Sequence, residues 1–212
     1  LLESRIENAE KTMRNAMGAA VYGDGTAAGG KAIGGLALLV ADTVATGVVG
    51  GIDRATWTFW RNQSYDATTD GGAAATSANI IGYMNRMWLN LVRGTDKPDL
   101  VCADNNYYRL YMEALQPQQR FTNEKLAQAG FENLKFMSAD VVFDGGMDGS
   151  CPTNHMYFLN TDYIYLRPHS KRQYVPLSPE RFSTNQDAMV KLIGWAGNMT
   201  TSGAKFQGVL KD

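Results

Sequence analysis

The chain has 212 residues, of which 44% are hydrophobic and 19% charged, a balance typical of a globular fold and not of a disordered tail. Lys and Arg number 20 and Asp and Glu number 21, so the net charge of −1 lacks the basic excess of proteins that mainly grip DNA. Cys102 and Cys151 form no disulfide framework, which favours a reducing cytoplasm. The sequence has no uninterrupted stretch of about 18 apolar residues, so no membrane span is predicted.

The first predicted element is a long helix with a narrow apolar stripe and a wide polar face. Apolar residues recur in steps of three and four, and Glu7–Lys11 and Glu10–Arg14 are favourable pairs one turn apart. The stripe consists of Leu2, Ile6, Ala9, Met13, Ala16 and Ala20. Gly23 is predicted to end the helix.

Residues 23–76 are rich in Gly, Ala and Thr and give weak helix and strand signals. The exception is residues 50–62, which place Trp57, Phe59 and Trp60 close together. A loop this long inside a compact domain is expected to have a function or to be covered by partners.

The rest of the chain predicts two helices and then strands. A helix over 78–93, capped by Ser77, precedes a buried strand at 100–103 and a helix that Asp104 caps and Pro117 ends. Strands follow at 134–136, 141–143, 156–159, 163–166, 190–195 and 204–210. The order predicts an α+β fold with helices beside an antiparallel sheet.

Residues 25–31, GTAAGGK, have the spacing of a phosphate-binding loop. Ala32 follows Lys31 where a hydroxyl should hold magnesium, and the segment follows a helix instead of a buried strand. A nucleotide-binding enzyme is therefore kept only as a less favoured alternative.

Other residues that carry chemistry form no recognisable constellation. The acidic positions Asp140, Asp144, Asp148 and Asp162 lack the spacing of a calcium loop. Cys151 and His155 have no second ligand pair for zinc, and His155 is predicted at a strand start, with His169 in an exposed turn. We therefore predict no catalytic residue, no cofactor and no metal ligand, and a protein that is not an enzyme.

The aromatic residues near position 57 allow two interpretations. Trp57 and Trp60 beside Arg54 and Arg61 are compatible with a stacking platform for single-stranded nucleic acid. Aromatic residues and Arg are also enriched at protein contacts, and this interpretation is favoured. The predicted subunit-interface residues are Arg5, Arg14, Arg54, Trp57, Trp60 and Arg61.

Four segments in order resemble the major capsid proteins of tailed phages with the Hong Kong 97-like fold. They are VYGDGT at 21–26 with IGGL at 33–36, GGIDR at 50–54 with WRNQ at 60–63, PDLVCAD at 98–104, and VVFD at 141–144 with MYFLN at 156–160 and IYL at 164–166. Together they cover nearly the whole chain in the order expected for that family.

The resemblance implies an α+β capsid fold with a long spine helix, a peripheral lobe and an axial lobe built on antiparallel sheets. Residues 1–75 would form the spine helix and connection, 76–162 the axial domain, 163–200 the peripheral strands, and 201–212 a strand returning to the axial domain. It implies a protein that self-assembles into pentamers and hexamers of an icosahedral head enclosing DNA without sequence recognition. Scaffold, portal and decoration proteins are further implied partners, and the location is a virion capsid assembled in the host bacterial cytoplasm.

That family has an N-terminal arm and an extended loop before the spine helix, whereas residue 1 already lies in the predicted helix. The chain as given is therefore expected to be a monomer or a small oligomer, and no covalent crosslink is assigned. An encapsulin-like compartment shell, which has the same fold around a cargo enzyme, remains an alternative.

Overall fold

The computed structural model of the chain describes residues 2–119, 134–145, 149–182 and 189–212. The α-helices are α1 (Leu2–Val21), α2 (Ala27–Gly30), α3 (Leu36–Leu39), α4 (Ile80–Leu91) and α5 (Asn105–Gln119). The strands are β1 (Val48–Val49), β2 (Ile52–Asp53), β3 (Gln63–Asp66), β4 (Leu100–Ala103), β5 (Leu134–Phe136), β6 (Ala139–Phe143), β7 (His155–Leu159), β8 (Ile164–Pro168), β9 (Val175–Phe182), β10 (Met189–Gly194), β11 (Gly197–Thr201) and β12 (Gly208–Lys211). Short 3₁₀ helices span Thr58–Trp60, Thr161–Tyr163 and Ala204–Phe206.

A six-stranded sheet with the order β3-β12-β7-β4-β6-β5 organises the molecule, and the predicted α+β class is confirmed. The sheet is mixed and not antiparallel throughout, because β12 runs parallel to β3 and β4 runs parallel to β6. Parallel neighbours need a crossover connection, and α5 lies in the connection between β4 and β6. Three two-stranded antiparallel pairs, β1–β2, β8–β11 and β9–β10, lie outside this sheet.

One face of the six-stranded sheet packs against α4 and α5. Met156 and Phe158 of β7 point to this face and are fully buried with Met84 and Met87 of α4. These side chains alternate along β7 and recur along α4 at the spacings that put them on one face of a strand and of a helix. The result is a closed hydrophobic core between sheet and helices.

The opposite face of the same sheet is covered by the segment that follows α1. Tyr157 and Val209 point to this face and pack with Tyr22, Leu36 and Val40 in a second core. From Met156 to Leu159, strand β7 is therefore buried on both faces, which accounts for its continuous apolar run MYFL.

The predicted helix ends are partly correct. Asp104 caps α5 as predicted, since its carboxylate accepts the backbone N–H of Tyr107 at 2.9 Å and that of Asn106 at 3.2 Å. The predicted Ser77 cap is wrong, because α4 begins at Ile80 after Asn79. The predicted end at Pro117 is also wrong: α5 continues to Gln119, since a proline lacks one N–H but has a helical φ.

Helix α1 is present as predicted, but it is not embedded in either core. Every described side chain from residue 4 to residue 21 is exposed or half-buried. Only its last turns, at Met17, Ala20 and Val21, pack against the second core. No helix in the described ranges has the length and hydropathy needed to cross a membrane.

Two observed strand pairings join segments that the sequence assigned to different predicted domains. Strand β12, from the predicted segment 201–212, lies beside β7, from the predicted axial segment 76–162. Strand β3, from the predicted segment 1–75, lies at the edge of the same sheet. The division into axial and peripheral lobes therefore stays a prediction.

Candidate intersubunit surface

Residues 48–60, which we call the aromatic hairpin, comprise β1, β2 and the 3₁₀ helix before β3. Gly50 and Gly51 turn the chain between the two strands with φ of +61° and +82°, values that glycine adopts without strain. Asp53 then accepts the N–H of Ala55 at 2.9 Å and the hydroxyl of Thr56 at 3.0 Å. These bonds lower the pKa of Asp53 and form the turn that leads into Trp57.

The aromatic hairpin presents two large side chains to solvent. Trp57 is 53% exposed and Phe59 is 56% exposed, and their rings meet edge to face with centroids 5.8 Å apart. Val48 adds a further apolar side chain that is 59% exposed. Clustered exposed apolar groups of this kind mark contact sites in soluble proteins.

Trp60 holds the hairpin to the rest of the chain. Its indole Nε1 donates to the carbonyl oxygen of Val49 at 3.0 Å, and its half-buried ring packs against the second core. The ring of Phe59 lies edge to face on it, with centroids 6.3 Å apart. The exposed aromatic surface is therefore supported from below by a fixed side chain.

Arg54 lies in the interior, which corrects the prediction that it contacts a neighbouring subunit. It is 1% exposed, and its Nη2 donates to the carbonyl oxygen of Leu39 at 2.6 Å. Burial lowers the pKa of its guanidinium. Its side chain lies inside the chain, where it joins the hairpin to the end of α3.

Arg61 is half-buried and also serves the hairpin. Its Nε donates to the carbonyl oxygen of Arg54 at 2.6 Å, and its Nη2 donates to that of Ala55 at 2.8 Å. Both guanidinium groups near the aromatic rings are thus directed at backbone carbonyl oxygens. This arrangement does not favour a stacking platform for nucleic acid, which needs cations free to follow a phosphate backbone.

A groove of about 600 Å³ lies beside the aromatic hairpin. Its walls come from the hairpin, the end of α4 and the 3₁₀ helix before β12, and include Phe59, Trp60, Leu91, Val92, Lys205 and Phe206. Sequence reasoning missed this groove, because its three walls lie far apart along the chain. The only local signal is the run of aromatic residues at 57–60.

The remaining predicted interface residues, Arg5 and Arg14, lie elsewhere, on the exposed surface of α1. The guanidinium carbon of Arg14 lies 5.7 Å from the ring centroid of Tyr174, within range of a cation–π contact. The structure thus brings Arg54, Trp57, Trp60 and Arg61 together and leaves the two α1 residues in a separate place.

The glycine-rich segment 25–31 does not have the surroundings of a phosphate-binding loop. It follows α1, and the N–H groups of Gly30 and Ala32 donate to the carbonyl oxygens of Thr26 and Ala27 at 3.1 and 3.2 Å. Amides engaged in the loop's own turns are not available to converge on a phosphate.

Residues that could hold a metal are scattered. Within the described ranges, no three His, Cys, Asp or Glu side chains are grouped as metal ligands, and Asp148 lies outside those ranges. The thiols of Cys102 and Cys151 are free, and burial raises the pKa of Cys102 to about 11 and that of Cys151 further. Neither thiol is in the reactive thiolate form near neutral pH.

Comparison with solved structures identifies the fold of the chain. No family model and no curated protein matches the sequence. Among solved structures, the chain is similar to a chain of the cyanophage A-1(L) capsid asymmetric unit, with 20% identity and a TM-score of 0.71. The match covers 100% of this chain and 69% of that chain. The chain therefore has the fold of a phage capsid protein, which confirms the fold that the sequence resemblance implied.

Proposed function

We propose that this protein is a structural subunit of a phage capsid, which assembles with copies of itself into the pentamers and hexamers of an icosahedral head enclosing DNA. The observation that carries the proposal is a likeness in fold to a phage capsid chain along the whole length of this one. The solvent-exposed aromatic hairpin supports it, because a repeated shell needs surfaces that copies cover.

The aromatic hairpin is the contact surface that we propose. Closed rings use head-to-tail contacts, in which one patch meets a different patch on the next copy. Covering about 100 Å² on each of Trp57 and Phe59 contributes roughly 2 kcal/mol per ring before the cost of association. Arg61 shapes this surface, whereas the buried Arg54 holds it from inside. Arg5 and Arg14 would belong to a second contact along α1.

The proposed lobes follow the sequence boundaries. Residues 76–162 and 201–212 form the axial lobe, and residues 1–75 and 163–200 form the peripheral lobe. Strand β3 is the exception, since it pairs with β12 and adds residues 63–66 to the six-stranded sheet of the proposed axial lobe. Bending between the lobes would set the curvature of the shell.

The proposed role needs no catalytic group and no cofactor. The net charge of the chain, −1, suits a shell that holds DNA by enclosing it. Portal, scaffold and decoration proteins are the further partners that we propose, with assembly in the bacterial cytoplasm and a final place in the virion.

The test is electron microscopy of the complete gene product expressed alone, as wild type and as the double variant Trp57→Ser and Phe59→Ser. We expect closed particles from the wild type and soluble, folded, unassembled protein from the variant. The matched control is Met137→Ser, which removes an apolar side chain that is 65% exposed in the turn between β5 and β6. This turn lies at the β5 edge of the six-stranded sheet, away from the aromatic hairpin, so the control should still form particles. The absence of wild-type particles would contradict the capsid proposal, and particles from the double variant would contradict the proposed contact.

Two further outcomes distinguish the alternatives. Particles that package a protein cargo would favour an encapsulin-like shell. Micromolar ATP binding by calorimetry, lost in Lys31→Ala, would favour a nucleotide-dependent enzyme.

A further inference from the structure

Both ring nitrogens of His155 face oxygen acceptors. Nε2 lies 3.0 Å from a carboxylate oxygen of Asp42, and Nδ1 lies 2.8 Å from the carbonyl oxygen of Thr153. A neutral imidazole has one N–H, so it donates to one of these acceptors and turns a lone pair toward the other. The imidazolium donates to both, and the geometry therefore fits the protonated ring with Asp42 as its counter-ion.

The pair is sheltered from water mainly on the histidine side. The side chain of His155 is 15% exposed and that of Asp42 is 43% exposed. The ring of Tyr157 lies 6.1 Å from the ring of His155, centroid to centroid. The other titratable and charged groups near His155 and Asp42 are Tyr157 in β7, Lys211 in β12 and Asp66 beside Lys211. The thiol of Cys151 and the backbone N–H of Asp104 donate to the carbonyl oxygen of His155.

Asp42 belongs to a segment, residues 39–42, that leads from α3 toward the aromatic hairpin and that we call the tether. Arg54 donates to the carbonyl oxygen of Leu39 at 2.6 Å, and Asn62 Nδ2 donates to that of Ala41 at 2.9 Å. Neither of these donors changes its protonation near neutral pH. His155 provides a third bond to the tether, and its donor does change.

We propose that the His155–Asp42 pair is a proton-dependent anchor of the tether, so that loss of a proton from His155 loosens the connection to the aromatic hairpin while the Arg54 and Asn62 bonds persist. The anchor itself is a property of the single chain. Its consequence for contacts between copies rests on the proposed function.

The direction of the effect follows from the two pKa values. Burial lowers the pKa of His155, but the bonds to Asp42 and Thr153 outweigh it, so the pKa is raised above 6.5. The bond to His155 lowers the pKa of Asp42 below 3.8. The contribution of His155 is therefore complete below pH 6.5 and lost as the pH rises through the raised pKa. The contribution of Asp42 is present above pH 3.8 and lost on further acidification, so the anchor holds at mildly acidic pH.

Nuclear magnetic resonance tests the anchor on the single chain. The chain has two histidines, so the variant His169→Gln assigns their ring signals. We expect the titration midpoint of His155 to fall in Asp42→Asn, and the amide signals of residues 40–47 to follow the His155 midpoint in the wild type but not in that variant. An unchanged midpoint, or amide signals that do not follow it, would overturn the proposal.

Thermal unfolding gives a second measurement with a matched control. We expect His155→Gln to lower Tm by about 2 °C at about pH 5.5 and by much less at about pH 8.5. Asn62→Ala removes a tether bond that does not titrate, so its loss of Tm should be similar at both pH values. A loss for His155→Gln that is equal at both pH values would contradict a proton-dependent anchor.

The two proposals fail in different ways. If the amide signals of residues 40–47 follow the titration of His155 but the complete gene product forms no particles, the anchor stands and the capsid proposal falls. If particles form but the amide signals of residues 40–47 do not follow the titration of His155, the capsid proposal stands and the anchor falls.

Discussion

The six-stranded sheet with α4 and α5 differs sharply from the region formed by α1 and the β8–β11 pair. In the first region, β7 and α4 contribute side chains with no solvent exposure, among them Phe158, Met84 and Met87. In the second, no described side chain of α1 is fully buried, and Tyr165 and Leu166 of β8 are 42% and 46% exposed. The first region encloses a core of its own within the chain, whereas α1 of the second region has no fully buried side chain with which to form one.

This difference indicates where stability and assembly reside. Burying a large apolar side chain stabilises a fold by about 1.5–3 kcal/mol, so the first region supplies most of the stability of a single chain. The uncovered side chains of the second region contribute little until another surface meets them. Under the proposed function, that surface belongs to a neighbouring copy.

The largest expected effect is in the first region, at Phe158 of β7. Its ring is fully buried and lies edge to face with Phe136, so Phe158→Ala leaves a cavity and is expected to lower the free energy of unfolding by about 3–5 kcal/mol. Urea denaturation measures the loss. Phe143→Ala, in β6 of the same sheet but 42% exposed, is the control and should cost much less. Equal losses would show that the sheet and its helices do not enclose a core around Phe158.

An intermediate effect is expected at Gly35, where the end of α1 meets the segment before α3. A Cβ at Gly35 would lie 2.0 Å from the carbonyl oxygen of Val21, a backbone atom that cannot rotate away. Gly35→Ala is therefore expected to cost about 1–3 kcal/mol, measured by urea denaturation.

The matched control is Gly18→Ala, in the same region. A Cβ at Gly18, inside α1, meets nothing within 4 Å, and alanine in place of a helical glycine should raise stability by about 0.5–1 kcal/mol. A neutral result for Gly35→Ala would mean that α1 does not rest closely on the chain after it.

The sequence predicted the first region better than the second. Periodicity identified α4, and the Asp104 cap identified the start of α5, because both signals are local. The parallel pairing of β12 with β3 was not predictable, since it joins strands from opposite ends of the chain. The mixed sheet was therefore missed, and so was its edge strand β3, although its other five strands were found.

The candidate surface shows the same limit. The aromatic run at 57–60 was visible in the sequence, but the burial of Arg54 depends on the carbonyl oxygen of Leu39, which no local pattern reveals. The bond between His155 and Asp42 joins residues 113 positions apart and was likewise invisible. Residue types suggested the contact surface, whereas the bonds that hold it required the fold.

The smallest effect on the free energy of unfolding is expected in α1, at Ile6. Ile6 belongs to the predicted apolar stripe, but its side chain is only half-buried, so Ile6→Ala should change the stability of the single chain by less than about 1 kcal/mol. A buried isoleucine would lose about 2–5 kcal/mol in the same substitution. The measurement is urea denaturation of the unassembled chain beside Phe158→Ala. A loss in the buried range would place α1 in the core of the single chain, and its apolar stripe would then not be surface left for a neighbouring copy.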